Sequence, residues 1–334
     1  MLPVRATNTN TKDMEAEKLK QAAKTPSRRR FLAVSAAAAG LALARSQDPH
    51  ARPGHFTWRG IALGAEAQIQ LIHPDEAAAR AILGGCVAEI DRLENIFSLY
   101  RPDSTLCQLN RLGQVSAPEL EFVDLLARAR QFHNDTGGAF DITVQPLWNL
   151  YSSRREPAPE DLKRSLQLVG FDKVGISSQH VHLGREGMSL TLNGIAQGYI
   201  TDRVVGLLKH SGYQDILVHL GESFGAGLRA DGAPWRAAIE GTPEIAELTD
   251  RALATSGSPG GTDSGHLFDP RTGRTPRRYR AVSVSAPTAT IADALATAFH
   301  VMTQDQVRQT LTLYQQVAVT FIGPSGRPDS FQSN

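Results

Sequence analysis

The stretch MSLTLNGIAQGYITDRVVGLLKHSGYQDILVHLGE, residues 188 to 222, decides how this chain is read. It predicts a strand, a Gly-rich turn at Asn193-Gly194, a helix that Gly198 opens and Gly212 stops, and then a second strand. A glycine turn feeding a helix N-terminus offers free backbone N–H groups and the positive end of the helix dipole. That setting suits an anion such as phosphate. The pattern is neither a Walker loop nor G-x-G-x-x-G, so it names no ligand by itself.

On either side of this unit the chain keeps mixing strands with helices. Residues 56 to 73 alternate around Ile61, Leu63, Ala65, Ala67, Ile69 and Leu71, as a strand or hairpin does. Residues 74 to 100 place Ala79, Ile82, Leu83, Val87, Ile90 and Leu93 at helical spacing, predicting an amphipathic helix that ends near Asn95. A second helix starts after Pro118 and is stopped by Gly137-Gly138, and PEDLKRSLQLVG, 159 to 170, is a short third. WRAAIEG (235–241), RALATSG (251–257), YRAVSVSAP (279–287) and YQQVAVTFIG (314–323) read as strands, with a helix over 291–302. Short strands mixed with four or five helices predict an α+β or mixed α/β fold in one continuous domain.

The 334 residues carry 35 basic and 34 acidic side chains, a balance that argues against a nucleic-acid binder. The N-terminus is more specific. Arg28, Arg29 and Arg30 precede a moderately apolar run from Phe31 to Leu43, closed by the small-residue cleavage pattern Ala42-Leu43-Ala44. That run is too short to span a bilayer, and the arginines followed by Phe-Leu resemble the twin-arginine export signal. The expectation is a cleaved signal over 1–44, a linker over 45–55, one domain over 56–325 and a C-terminal tail over 326–334. Cleavage after Ala44 would leave 27 basic and 31 acidic groups, net −4. No Cys follows the apolar run, so a lipid anchor is not expected there. Cys86 and Cys107 form no metal motif, and their count leaves a disulfide and two free thiols equally open.

Besides the turn at 193–198, four stretches carry groups that packing alone does not require. FSLYRPDSTLCQLNR (97–111) combines Tyr100 with Ser104 and Asn110, although a solvated turn at Arg101-Pro102-Asp103 reads as well. DTGGAFDITVQPLWNLY (135–151) sets Asp141 after a buried-looking Phe140, where a carboxylate needs partners, as a loop cap or as a ligand group. ATSGS and SGHLFDPRTGRTP, between 254 and 276, crowd Thr255, Ser256, His266, Asp269 and Arg271 around tight turns, with a structural role for His266 as the alternative. In IADALATAFHVM (291–302), Asp293 and Thr297 share one helical face. Two oxygen ligands there suit a hard cation such as Mg²⁺, or else Asp293 serves only the helix dipole.

Taken together and in order, these stretches resemble the FAD:protein FMN transferase family, the ApbE-like flavin transferases. The matching elements are Ser98-Leu99-Tyr100 through Ser104 to Asn110, Gly138 to Leu147, Gly194 to Asp202, Thr255 to Gly257 with His266 to Gly273, and Ala292 to Ala298. The likeness covers roughly 56 to 325. It implies a single domain with a mixed, largely antiparallel sheet and packed helices. It also implies that FAD binds as substrate with Mg²⁺, and that its FMN half is joined to a Thr or Ser of an acceptor flavoprotein with release of AMP. By motif position the metal ligands would be Asp293, Thr297 and the backbone carbonyl of Ala196. Flavin and adenine contacts would fall on Tyr100, Ser104, Asp141, Tyr199, Thr255, His266 and Asp269. His266, or a nearby carboxylate, would serve as the base.

Two departures stand out. Gln197 replaces the family's usual Lys, and Gly221-Glu222-Ser223 replaces its Gly-Gly-acid turn, which is expected to shift if position 222 demands positive φ. Alternatives to transfer are a Mg²⁺-dependent FAD pyrophosphatase yielding free FMN and AMP, and a non-catalytic FAD-binding or delivery protein. With a twin-arginine signal, the expected location is the periplasm after passage through the twin-arginine translocase. The expected acceptor is a membrane or periplasmic flavoprotein of a respiratory complex, such as one serving nitrous-oxide reduction.

Overall fold

The computed structural model describes residues 54–152, 157–239, 242–257 and 267–333. The expected signal segment and His266 therefore lie outside the described residues, as does most of the expected linker. The backbone of the fold is an eight-stranded sheet in the order β1-β2-β6-β7-β10-β11-β12-β13, with every neighbouring pair antiparallel. β1 (Gly54–Ala62) and β2 (Ala65–His73) form the hairpin that the alternation at 56–73 foreshadows. β6 (Ile216–His219), β7 (Ser223–Ala226), β10 (Arg251–Gly257), β11 (Ala281–Ala286) and β12 (Ala318–Ile322) continue the sheet. β13 (Pro328–Gln332) closes it by pairing with β12, so the stretch expected as a tail contributes an edge strand.

Between β2 and β6 the chain builds most of its helices and a separate three-stranded sheet. α1 (Glu76–Phe97) starts where the Asp75 carboxylate accepts from the N–H groups of Ala77 and Ala78. Its buried residues Ala79, Leu83, Cys86, Ile90, Leu93 and Phe97 keep the helical period read from the sequence. α2 (Thr105–Leu112), α3 (Leu120–Asp135), α4 (Gln145–Tyr151) and α5 (Pro159–Gln167) follow, with β3 (Gln114–Ser116), β4 (Val174–Ile176) and β5 (His180–Leu183) forming the small sheet. β8 (Trp235–Ala238) and β9 (Ile245–Leu248) make a further hairpin. α6 (Ala196–His210), α7 (Ala289–Val301) and α8 (Gln304–Leu311) complete the described elements. α7 lies against β10, β11 and α6, and its Ala-rich surface is buried nearly all round.

The strand expected at 188–192 does not form. Its backbone instead meets the Asn110 side chain, whose carboxamide oxygen accepts from Leu190 N–H at 2.7 Å and whose amide donates to the Leu190 carbonyl at 2.9 Å. Thr191 N–H donates to the Ile142 carbonyl at 2.8 Å. One carboxamide supplies what a neighbouring strand would have supplied, so buried backbone groups are satisfied without a ladder. Both cysteines are free thiols, and burial pushes Cys86 up to about 12. Among the described residues no helix is long and apolar enough to cross a membrane.

Candidate functional site

α6 and α7 meet at their N-terminal turns and exchange carboxylates. Asp293, in the second turn of α7, accepts from Gly198 N–H of α6 at 3.0 Å. Asp202 of α6 in turn accepts from Ala289 N–H at 2.7 Å and Thr290 N–H at 2.9 Å, and from the Thr290 hydroxyl. Each helix thus places an acid at the other's positive end, where unpaired N–H groups need acceptors. The dipole role weighed for Asp293 belongs mainly to Asp202, with Thr288 capping α7 through its side chain.

Small residues make this crossing possible. A Cβ on Gly198 would lie 2.3 Å from the Ala289 carbonyl oxygen, and one on Gly194 would lie 2.7 Å from Thr297 Oγ1. The two glycines of NGIAQG therefore stand opposite Asp293 and Thr297, one rung each, four residues apart on both sides. Gly198 lies inside α6, which begins at Ala196, so it serves close approach rather than opening the helix as the sequence reading expected.

Asp293 is 3% exposed. Burial pushes its carboxyl up to about 7; the Gly198 N–H opposes that rise and the Asp202 charge adds to it. Burial also raises Asp202, against the pull of its Thr290 and Ala289 partners.

Asp293 and Thr297 form part of the wall of a cavity of about 280 Å³. Asp141 and Thr255, two more of the residues singled out from sequence, line the same space. Asp141 accepts from Thr143 N–H at 2.8 Å and from the Thr143 hydroxyl at 2.6 Å, with His133 Nδ1 3.5 Å away. Burial raises its carboxyl, and the Thr143 bonds counter that. It therefore caps the short turn Ile142–Val144 and faces the cavity at once. Thr255 shares a 2.7 Å hydrogen bond with Ser283, and Ser256 one of 3.2 Å with Thr297.

Other expected residues point elsewhere. Tyr100 is 69% exposed and is not part of the cavity wall. Ser104 is buried as the cap of α2, accepting from Cys107 N–H at 3.0 Å and donating to the Ser98 carbonyl at 2.6 Å. The Tyr199 hydroxyl donates to Asp124 of α3 at 3.1 Å, and its ring meets Phe97 edge-on, away from the cavity. Asp269 pairs with Arg271 at 3.0 Å and anchors the turn that follows, while its neighbours Phe268 and Pro270 reach the cavity. Ala196 is the buried first residue of α6.

Glu222, Gln197 and Trp148 also line the cavity. In the sequence the first two stand out only as departures from a pattern, and nothing there singles out Trp148. The strained position in the β6–β7 turn is Gly221, with φ +98°, and Glu222 is not among the residues at positive φ. A Cβ on Gly221 would also meet the Gln197 carboxamide at 2.4 Å. The turn expected to shift at Glu222 therefore keeps its glycine where the backbone needs one. Among the described residues no group of three or more His, Cys, Asp or Glu side chains is placed to hold a metal. Any cation here would rest on mixed carboxylate, hydroxyl and carbonyl oxygens.

The family model described as the ApbE family matches residues 63–321. Among curated proteins, the FAD:protein FMN transferase of Treponema pallidum is 30% identical over 315 residues, covering 83% of this chain and 87% of its own length. That of Vibrio cholerae is 32% identical over 246 residues, covering 65% and 73%. Among solved structures, the flavin transferase ApbE from Vibrio cholerae superposes with a TM-score of 0.77 at 27% identity, covering 84% of this chain and 98% of that one. The matched span runs from the turn of the β1–β2 hairpin into β12 and contains every cavity residue described above, and on this footing the chain belongs to the ApbE family.

Proposed function

We propose that the protein transfers the FMN half of FAD to a Thr or Ser hydroxyl of an acceptor protein and releases AMP. The observation that carries this reading is the convergence on one cavity of groups from four separate stretches: Asp141, the Asn193–Gln197 turn, Thr255-Ser256, and Asp293 with Thr297. In the step, the acceptor oxygen bonds to the phosphorus on the FMN side of the pyrophosphate. The bond to the AMP phosphate breaks, AMP leaves with the electron pair, and the hydroxyl proton passes to a base. The base is His266 or a carboxylate of the described cavity, where Asp141 and Glu222 stand in the wall beside Asp293, the acid assigned to the ion.

The donor set fits Mg²⁺. Asp293 is deeply buried, has among the described residues Asp202 rather than a cation near it, and shares its helix face with the Thr297 hydroxyl. A buried carboxylate beside a second acid gains most from a positive ion. Asp293, Thr297 and the Ala196 carbonyl would hold the ion, and hard oxygen donors suit it. When bound, Mg²⁺ would offset negative charge on the pyrophosphate. The chain's own work is to orient FAD along the cavity and to bring Thr255, Ser256 and the Asn193–Gln197 turn around its polar middle.

Export belongs to the same proposal: the Arg28–Arg30 cluster and the apolar run after it support passage by the twin-arginine route to the periplasm. There the acceptor would be a flavoprotein of a respiratory complex, nitrous-oxide reduction being one such setting. The test incubates the purified mature protein with FAD, Mg²⁺ and a membrane-protein fraction from its source cells, followed by mass spectrometry. FMN esterified to Thr or Ser is expected, and the absence of any flavinylated peptide would refute transfer.

A further inference from the structure

Next to the cavity lies a second hollow, a cleft of about 330 Å³ lined by Arg271, Arg274, Arg278, Thr303 and Gln306. Five arginines fall between 271 and 280, with no acid among them, in a chain whose charges otherwise nearly cancel. Among the described residues the one acid in the cleft wall, Asp269, is fully engaged by Arg271, at 3.0 Å to Oδ1 and 3.1 Å to Oδ2. Arg274 and Arg278 are exposed, and among the described residues neither has an acidic partner. Arg278 makes one long bond, 3.4 Å, to the Val301 carbonyl.

Arg271 and Arg274 stand on a firm support. Gly273 and Thr272 donate to the Asp269 carbonyl at 2.8 and 3.2 Å, and Asp269 N–H donates to the Arg274 carbonyl at 2.9 Å, closing the turn. Gly273 seats that turn on Leu147, Leu162 and Leu166, so closely that a Cβ would come within 2.7 Å of Leu162. The wall between the two hollows is a single strip. Leu267, Phe268 and Pro270 face the cavity, Asp269 and Arg271 face the cleft, and Val301 borders both. Any protein segment delivering a hydroxyl into the cavity has this cleft within a few residues' reach.

We infer that the Arg271–Arg278 cleft is the docking site for an acidic segment of the acceptor protein, holding carboxylates that flank the hydroxyl to be modified. The inference rests on the transfer reading above. Two guanidinium groups without an acidic partner among the described residues, Arg274 on the braced turn and Arg278 tied to the Val301 carbonyl, present forked donors to carboxylates. The hollow is concave and walled by Thr and Gln side chains, which fits inserted side chains better than a flat lipid surface or the long stripe a nucleic acid requires. Because both arginines are exposed, their contribution is to encounter and register, and it weakens with salt.

The test uses the full mature protein and fluorescence anisotropy of a short labelled peptide with one Thr flanked by Glu, alongside its Gln-flanked counterpart. The Glu peptide is expected to bind ~10-fold or more tightly than the Gln peptide at low salt, with the gap narrowing as salt rises. Arg274→Glu/Arg278→Glu should lose that preference, and the milder Arg274→Gln/Arg278→Gln should lose part of it, with unchanged melting of the latter confirming its fold. FAD binding by both variants should match the wild type, since neither residue lines the cavity. Equal affinity for the two peptides, or a preference that survives charge reversal, would overturn the proposal. So would phosphatidylglycerol vesicles or a DNA oligonucleotide binding through these two arginines more tightly than the Glu peptide. Failure of AMP release from FAD in the wild type would instead sink the transfer reading, and the peptide titration would still read the cleft.

Discussion

Asp293→Asn should stabilise the metal-free protein above neutral pH while abolishing transfer. The carboxyl is pushed from an ordinary 3.8 to about 7 by burial, with Asp202 adding to the rise. A shift of ~3 units at ~1.4 kcal/mol each makes the charged form about 4 kcal/mol costlier in the folded state than in the unfolded one. Because the folded value is raised, the associated stability is fully present below pH ~4 and declines as pH climbs toward 7. Above that it stays lost. Asn keeps an oxygen for the 3.0 Å bond from Gly198 N–H and never ionises. The variant should therefore melt higher than the wild type at pH 8 in EDTA, by roughly 5–10 °C, with the gap closing toward pH 4. Added Mg²⁺ at ~100 times its Kd should stabilise the wild type by about 2.7 kcal/mol and leave the variant unmoved. Calorimetric melts from pH 4 to 8, with and without Mg²⁺, read all of this. A melting difference independent of pH, or an equal Mg²⁺ response in both proteins, would refute the account of Asp293.

Three further outcomes separate packing from chemistry. Gly198→Ala forces a methyl to 2.3 Å from the Ala289 carbonyl, so helix α6 must shift from α7; a loss of ~1–3 kcal/mol in urea unfolding, together with transfer, is expected. Ser104→Ala should cost about 1 kcal/mol as a lost helix cap and leave the KM for FAD unchanged; a raised KM would return Ser104 to the binding site. Asn110→Ala strips two bonds from the Leu190 backbone and should cost ~1–3 kcal/mol, while Asn110→Asp keeps only the acceptor and should recover part of the loss.

Much of the fold is legible from periodicity. The alternation at 56–73 and the 3.6 spacing of α1 survive because each element buries one face against one neighbour. Legibility fails where a side chain stands in for backbone. Leu190 and Leu192 look like a strand, but whether a strand forms depends on a partner, and here the partner is the Asn110 carboxamide, 80 residues away in sequence. β13 was invisible for the opposite reason: PDSFQ is a polar edge strand with no apolar alternation to read.

At the site, the Asp293/Thr297 spacing was readable because helical geometry alone puts both on one face. That Gly194 and Gly198 form the opposing rungs was not, since it depends on how two distant helices cross. Tyr199 shows the limit of motif position. It sits in the matched stretch, yet its hydroxyl is spent on Asp124, and burial pushes it up to about 12. Ser104 is likewise explained by the start of α2.

The central claim is that FMN leaves FAD for a protein hydroxyl. The most direct measurement follows both halves of the substrate at once, using FAD labelled in its adenine ring, the mature protein, Mg²⁺ and an acceptor-containing membrane fraction. The account predicts that AMP and protein-bound FMN appear in equal amounts, and that neither appears with Asp293→Ala. AMP accompanied by free FMN, with no flavin on any protein, would contradict it and assign the cavity to hydrolysis.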